Sequence, residues 1–137
     1  MTANPDYLHS PRRALVRGAI VRRTRRKHTL IVMIPCALCH VPHLPEQLEL
    51  HEFPGRGTVY DKASLDEWPV CLHALICRNC HEGNGPAHPN GYAGMQRLLA
   101  WSIDLWGRAA CRTQIWRYGR KYSPISSAYL DYTLLED

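Results

Sequence analysis

The sequence predicts a small α+β domain ending in a C-terminal helix, and three observations carry that expectation. Two Cys-x2-Cys pairs, Cys36/Cys39 and Cys77/Cys80, bracket the middle of the chain. Residues 47–53 alternate apolar and polar side chains as a half-buried strand does. Residues 93–118 carry apolar side chains at helical spacing, through Met95, Leu98, Leu99, Ser102, Leu105, Trp106, Ala109 and Ala110.

The N-terminal third justifies strands less directly. Pro5 and Pro11 break residues 1–13. Val21 and the run Leu30-Ile31-Val32-Met33-Ile34 favour strand, so residues 14–34 are expected to form two short strands joined by a basic loop over 22–28. On the strand over 47–53, Leu48, Leu50 and Glu52 share one face, and Glu49, His51 and Phe53 share the other. The turn residues Pro54-Gly55-Arg56-Gly57 end it, and a loop follows to residue 70, with a helical turn capped by Ser64. Residues 70–76 are apolar enough for a second strand. Gly83, Gly85, Pro86 and Pro89 keep residues 82–91 irregular. Gly107 falls inside the C-terminal helical pattern and either kinks it or divides it in two. The chain therefore divides into a basic arm with strands (1–35), a zinc-knuckle core (36–90), a basic aromatic helical segment (91–122) and an acidic tail (123–137).

A Cys-x2-Cys turn aims two thiolates at one point, and two such turns supply the four ligands of tetrahedral Zn2+. The 37 residues between the pairs require a substructure between the knuckles. A closed four-thiolate site contributes folding free energy and no chemistry. Cys71 and Cys111 are left over and read as core thiols.

The chain of 137 residues has a net charge of +5, which favours an anionic partner. Eight Arg and Lys residues fall within 12–27 and six within 97–121, while Glu46 to Glu82 holds seven carboxylates against three basic residues. Basic flanks around an acidic centre suit a chain that grips phosphates and also binds cations. Arg22, Arg23, Arg25, Arg26, Lys27, Arg56, Arg108 and Arg112 are the candidate phosphate contacts. Trp101, Trp116 and Tyr118 lie among the arginines of the helical segment, where stacking on bases competes with a role as core anchors. No base-reading side chains stand out, so the anionic partner is expected to be nucleic acid bound with weak sequence specificity. No signal-peptide pattern and no membrane-length apolar run is read, and paired cysteines without either point to a reducing, cytoplasmic setting.

The order Cys-x2-Cys, then Leu48-Glu49-Leu50-His51-Glu52, then Cys-x2-Cys followed at once by His81, resembles the zinc-supported HNH, or ββα-metal, endonucleases of phage type. The resemblance covers residues 36 to about 88. It implies a ββα-metal core around one divalent catalytic ion such as Mg2+, Mn2+ or Ni2+, beside the structural zinc. His51 then falls at the first-strand ligand, Glu52 where the general-base histidine stands, and His81 at the second ligand. His88 is a third candidate ligand, at a longer spacing from His81 than the family shows. The family's middle Asn has no counterpart, because no Asn lies between residues 53 and 78. Either Glu52 has become the base, or His51 is the base and the ion is held by His81, Glu52 or Glu49; a dead site is the third alternative. A regular strand sends His51 and Glu52 to opposite faces, so a bulge would be needed for both to reach one ion. His40 and His43 read as surface residues and His73 as a core histidine. Outside the enzyme class, the rival readings are a zinc-ribbon nucleic-acid-binding protein without catalysis and a zinc module that docks on another protein.

Overall fold

The computed structural model describes residues 11–53 and 70–115. Helix α1 spans Pro11–His28, and strands β1 (Ile34–Pro35) and β2 (Pro42–His43) form a short hairpin around the first knuckle. Strand β3 (Leu48–Glu52) follows a 3-10 turn, and a second 3-10 turn, Val70–Leu72, leads into strand β4 (His73–Cys77). Helices α2 (Arg78–His81), α3 (Tyr92–Trp106) and α4 (Arg108–Gln114) complete the described chain. The α+β class stands.

The two strands expected within 14–34 are replaced by α1. Val16, Ile20 and Thr24 recur every four residues and are 1%, 2% and 1% exposed, so they form one narrow buried stripe. Pro11 occupies the start of the helix, where its missing N–H costs nothing. Four basic residues, Arg25, Arg26, Lys27 and His28, fill the last turn and complement the helix dipole. Thr29 adopts φ 52°, and the Leu30 N–H closes back on the Arg25 carbonyl at 2.9 Å, which ends the helix. The expected strand over 30–34 shrinks to Ile34–Pro35, since Ile31 is 86% exposed and nothing pairs with it.

Strands β3 and β4 pair antiparallel without a bulge: Leu48 faces Cys77, His51 faces Ala74 and Glu52 faces His73. The start of the expected strand at residue 70 is instead the 3-10 turn, and the Phe53 N–H reaches the Leu72 carbonyl at 3.0 Å to extend the pairing. Every residue of β4 is buried, because α1, α3 and β3 all pack on it. Helix α2 ends at His81, before the glycines at 83 and 85. Gly107 divides the long helical pattern in two: its φ of 93° and ψ of 149° suit glycine alone, so α3 stops at Trp106 and α4 restarts on a new axis. The core gathers Val16, Ile20, Ile34, Leu48, Leu75, Ile76, Leu98, Leu99, Leu105 and Ile115 around the hairpin. The loop over 54–69 with Arg56 and Ser64, the residues Trp116 and Tyr118, and the tail over 123–137 lie outside the described residues.

Candidate metal centre and histidine cluster

The first knuckle is a tight turn inside the β1–β2 hairpin. The His40 N–H meets the Cys36 carbonyl at 2.9 Å, the Cys36 N–H meets the Val41 carbonyl at 3.0 Å, and His40 takes φ 64° to close the turn. The Ala37 N–H bonds the Leu75 carbonyl at 3.0 Å, which docks this turn onto β4. The second knuckle is the junction of β4 and α2, where Cys77 precedes the helix and Cys80 lies in its single turn. The Sγ atoms of Cys36, Cys39, Cys77 and Cys80 all lie within 4.8 Å of one another. The Cys39 and Cys77 sulfurs are 3.9 Å apart. A tetrahedral ion with sulfur at about 2.3 Å needs a sulfur spacing of roughly 3.8 Å, so the cluster could hold a metal ion.

The backbone prepares Cys36 for negative charge. Its Sγ accepts N–H groups from Leu38 at 3.4 Å, Cys39 at 3.5 Å and Cys77 at 3.3 Å. Burial pushes its thiol pKa up, but the N–H groups of Cys39, Cys77 and Leu38 outweigh that and hold it below the ordinary range. Burial, as the largest cause, pushes the Cys39 and Cys80 thiols upward. Gly85 is required by close approach, because a Cβ there would sit 2.5 Å from the Cys80 sulfur. Cys71 and Cys111, both fully buried, instead hydrogen-bond each other through their thiols between the second 3-10 turn and α4.

Beside the cysteines, histidines gather on the Glu49/His51 face of β3. The His51 and His81 rings meet edge to face with centroids 5.1 Å apart. His81 Nδ1 lies 2.7 Å from Glu49 Oε1. A ring that donates Nδ1–H to a carboxylate keeps its lone pair on Nε2, the arrangement that suits a metal ligand. His51 is 6% exposed, and its Nε2 has no hydrogen-bond partner. The ring donates to the Pro89 carbonyl, so that donor is Nδ1 and Nε2 again keeps its lone pair. Burial, reinforced by His81, His73 and His88, lowers the His51 pKa to about 3, so the ring is neutral at ordinary pH.

Glu52 is not brought into this cluster. It projects from the other face of β3, where Arg13 of α1 reaches its Oε1 at 3.1 Å and the Leu50 carbonyl at 3.1 Å. With no bulge in the hairpin, His51 and Glu52 do not face one point. His88 is exposed, with its ring against Gly83 and its Nδ1 accepting the Asn90 N–H at 3.1 Å. His73, expected in the core, is buried on β4 and bears electrostatically on His51. Among the described residues, the four cysteines are the one set of three or more His, Cys, Asp or Glu ligand atoms gathered this closely. Sequence reasoning gave Glu49 only as an alternative ligand and missed its contact with His81. The available signal was its place two residues before His51 on the same strand face.

The basic residues differ in exposure and in what they touch. Arg22, Arg26 and Lys27 are exposed along α1. Arg23 is engaged: its Nε donates to the Leu105 carbonyl at 2.7 Å, and its guanidinium lies 5.9 Å from the Trp106 ring centre. Arg25 reaches the Val32 carbonyl at 3.3 Å. Arg108 is exposed and Arg112 half-buried on α4. Trp101 packs against the core and stacks with His28, centroids 5.5 Å apart, and with His40, centroids 5.6 Å apart. His43 is half-buried. No helix among the described residues is long and apolar enough to cross a membrane. No protein-family model, no curated protein and no solved structure matches the chain.

Proposed function

We propose that this chain is a zinc-supported nuclease of the HNH type, in which Cys36, Cys39, Cys77 and Cys80 hold one structural Zn2+ and His51 is the general base for phosphodiester hydrolysis. The observation that carries the reading is the meeting of the His51 and His81 rings, centroids 5.1 Å apart, on the hairpin face beside the four cysteines, with the His51 Nε2 left without a partner. The sulfur-only donor set favours zinc over hard cations. His51 Nε2 takes a proton from the attacking water, and the Pro89 carbonyl holds the ring in the tautomer that can do so. Burial keeps the base neutral but weakens it, and the negative phosphate would draw its affinity for protons upward once bound. Glu49 orients His81, whose Nε2 is the protein donor for a divalent ion. When bound, such an ion supplies charge neutralisation at the phosphate and stabilises the departing oxygen. A hard ion that keeps its waters and takes the remaining ligands from the phosphate fits a site with few protein donors.

The assay is nicking of supercoiled plasmid DNA with Mg2+, Mn2+ or Ni2+. The wild-type protein is expected to cleave, and His51→Ala to lose activity by about 10²-fold or more, the usual contribution of a positioned base. Wild-type protein inert with all three ions, or His51→Ala cleaving as wild type, overturns the reading. A zinc-supported DNA- or RNA-binding protein without catalysis is the second reading. The observation in its favour is that no second set of three ligand atoms gathers among the described residues. It requires salt-sensitive binding with no cleavage in the same assay.

A further inference from the structure

Three histidines stand around the face of β3, and their hydrogen bonds set their rings in two opposite states. His81 Nδ1 lies 2.7 Å from the Glu49 carboxylate, and His51 donates its Nδ1 proton to the Pro89 carbonyl, which leaves the His51 Nε2 bare. His88 is the reverse. Its Nδ1 accepts the backbone N–H of Asn90 at 3.1 Å, which is possible only while Nδ1 carries no proton. A neutral imidazole with a bare Nδ1 carries its hydrogen on Nε2. Such a ring cannot offer Nε2 to a cation without moving the proton to Nδ1 and breaking the Asn90 bond.

The backbone around this ring is built closely. A Cβ on Gly83 would lie 2.7 Å from His88 Cδ2 and 3.1 Å from its Nε2, so the Cδ2–Nε2 edge rests against that glycine. A Cβ on Gly94 would fall 1.9 Å from the His88 carbonyl oxygen, so the first turn of α3 fixes the backbone of His88 from beneath. The Gly91 N–H bonds the same carbonyl at 3.0 Å. His88 is nevertheless exposed, while its neighbour Pro89 is buried and accepts from His51. One short segment thus orients the buried ring through Pro89 and presents the exposed one through His88. Among the described residues, His51, His81 and His88 do not gather into a set of three mutually close ligand atoms.

We infer that His88 is a neutral hydrogen-bond donor, through Nε2–H, to a non-bridging phosphoryl oxygen of the nucleic-acid substrate, and not a ligand of the divalent ion. The inference rests on the nuclease reading and adds a phosphate-contacting residue to it. A fixed neutral donor aimed where negative charge grows strengthens its bond as the pentacoordinate phosphorus forms. It gives up no proton in doing so, and therefore needs no replenishment.

The test compares His88→Ala and His88→Gln, the latter keeping an N–H near the place of Nε2. With Mg2+ and plasmid DNA, His88→Ala is expected to lower kcat by about 10²-fold, the usual loss for one such donor, and His88→Gln to recover at least tenfold of it. Mn2+ affinity, followed by electron paramagnetic resonance, is expected to be the same in wild type and both variants. Nitrogen-15 spectra of the wild-type imidazoles are expected to show His88 protonated at Nε2. Mn2+ binding weakened tenfold or more by His88→Ala overturns the inference in favour of a ligand role. Undiminished cleavage by His88→Ala, no recovery with Gln, or an Nδ1–H signal for His88 overturns it as well, with the nuclease reading intact. Wild-type protein that cleaves under no condition removes the nuclease reading itself, and this inference with it.

Discussion

Replacing Cys36 by serine is the most demanding perturbation of the metal centre, because Cys36 performs two jobs at once. Its sulfur is one of four within 4.8 Å of each other, and it also accepts three backbone N–H groups, from Leu38, Cys39 and Cys77. The third of these ties the two knuckles together across the sequence. Structural zinc contributes about 10–16 kcal/mol of apparent binding free energy at neutral pH. Loss of one ligand in four removes roughly 2.5–4 kcal/mol of that by simple proportion. The N–H groups left facing a shorter, uncharged hydroxyl add about 1–3 kcal/mol. The sum, about 5 kcal/mol, equals the whole stability of a weakly stable domain. At about 4 °C per kcal/mol, the melting temperature is expected to fall by roughly 20 °C, or the cooperative transition to disappear. The assay pairs thermal unfolding with elemental analysis of freshly purified protein. Wild type is expected to carry one zinc per chain, and Cys36→Ser well under one. Cys111→Ala, a buried thiol outside the cluster, is the control and is expected to keep full zinc content. Metal-free wild-type protein that melts at the same temperature with and without chelator, or Cys36→Ser with full zinc and an unchanged melt, refutes the reasoning.

Three other outcomes follow from particular contacts. The His51 imidazole is expected to remain neutral with Nδ1–H between pH 5.5 and 8 in nitrogen-15 spectra, because its pKa is lowered to about 3; a titration centred near 6.5 contradicts this. The unfolded chain takes up that proton first, so the ring's contribution to stability is present above about pH 6.5 and is lost as pH falls toward 3. Gly107→Ala is expected to cost about 1–3 kcal/mol in chemical unfolding even though no atom lies within 4 Å of the new Cβ, since the penalty is in the backbone φ of 93°. Joint replacement of Arg22, Arg26 and Lys27 by Gln is expected to flatten the logarithmic salt dependence of DNA binding by about 0.9 per lost phosphate contact, while Arg23→Ala lowers stability through Leu105 and Trp106 and leaves that slope nearly unchanged.

The parts of the molecule legible in the sequence are those whose geometry is local. A Cys-x2-Cys turn needs only four residues to aim its sulfurs, so both knuckles could be placed without knowing the fold. Once they meet, the strand before Phe53 and the residue after Cys80 come together, and the approach of His51 to His81 follows. Gly107 was legible as a break for a similar reason, since glycine carries its permission for positive φ wherever it stands. The tautomers were not legible. Whether a ring keeps its proton on Nδ1 or Nε2 depends on Glu49, Pro89 and the Asn90 backbone, and residue type alone says nothing about it.

The misreading of α1 has the largest functional consequence. Its buried stripe is only Val16, Ile20 and Thr24, and two of these are β-branched aliphatic residues that local propensity assigns to strands. Tertiary packing overrides that preference because a stripe with a spacing of four fits beside β4, where a strand of the same residues would bury half its arginines. The helix then changes the site in two ways. It delivers Arg13 to Glu52, 39 residues away in sequence, which neutralises the one strand carboxylate that competed with His51 for the role of base. It also sorts the basic block by face. A loop over 22–28 would present every cation to a phosphate backbone, whereas the helix sends Arg23 and Arg25 back to protein carbonyls and leaves Arg22, Arg26 and Lys27 outward. Arg22 and Arg26 stand about one turn apart, roughly 6 Å along the axis, on one exposed side of the helix. The surface that meets an anion is therefore a short ridge with fixed geometry, and its strength depends on the helix staying folded as much as on its charge.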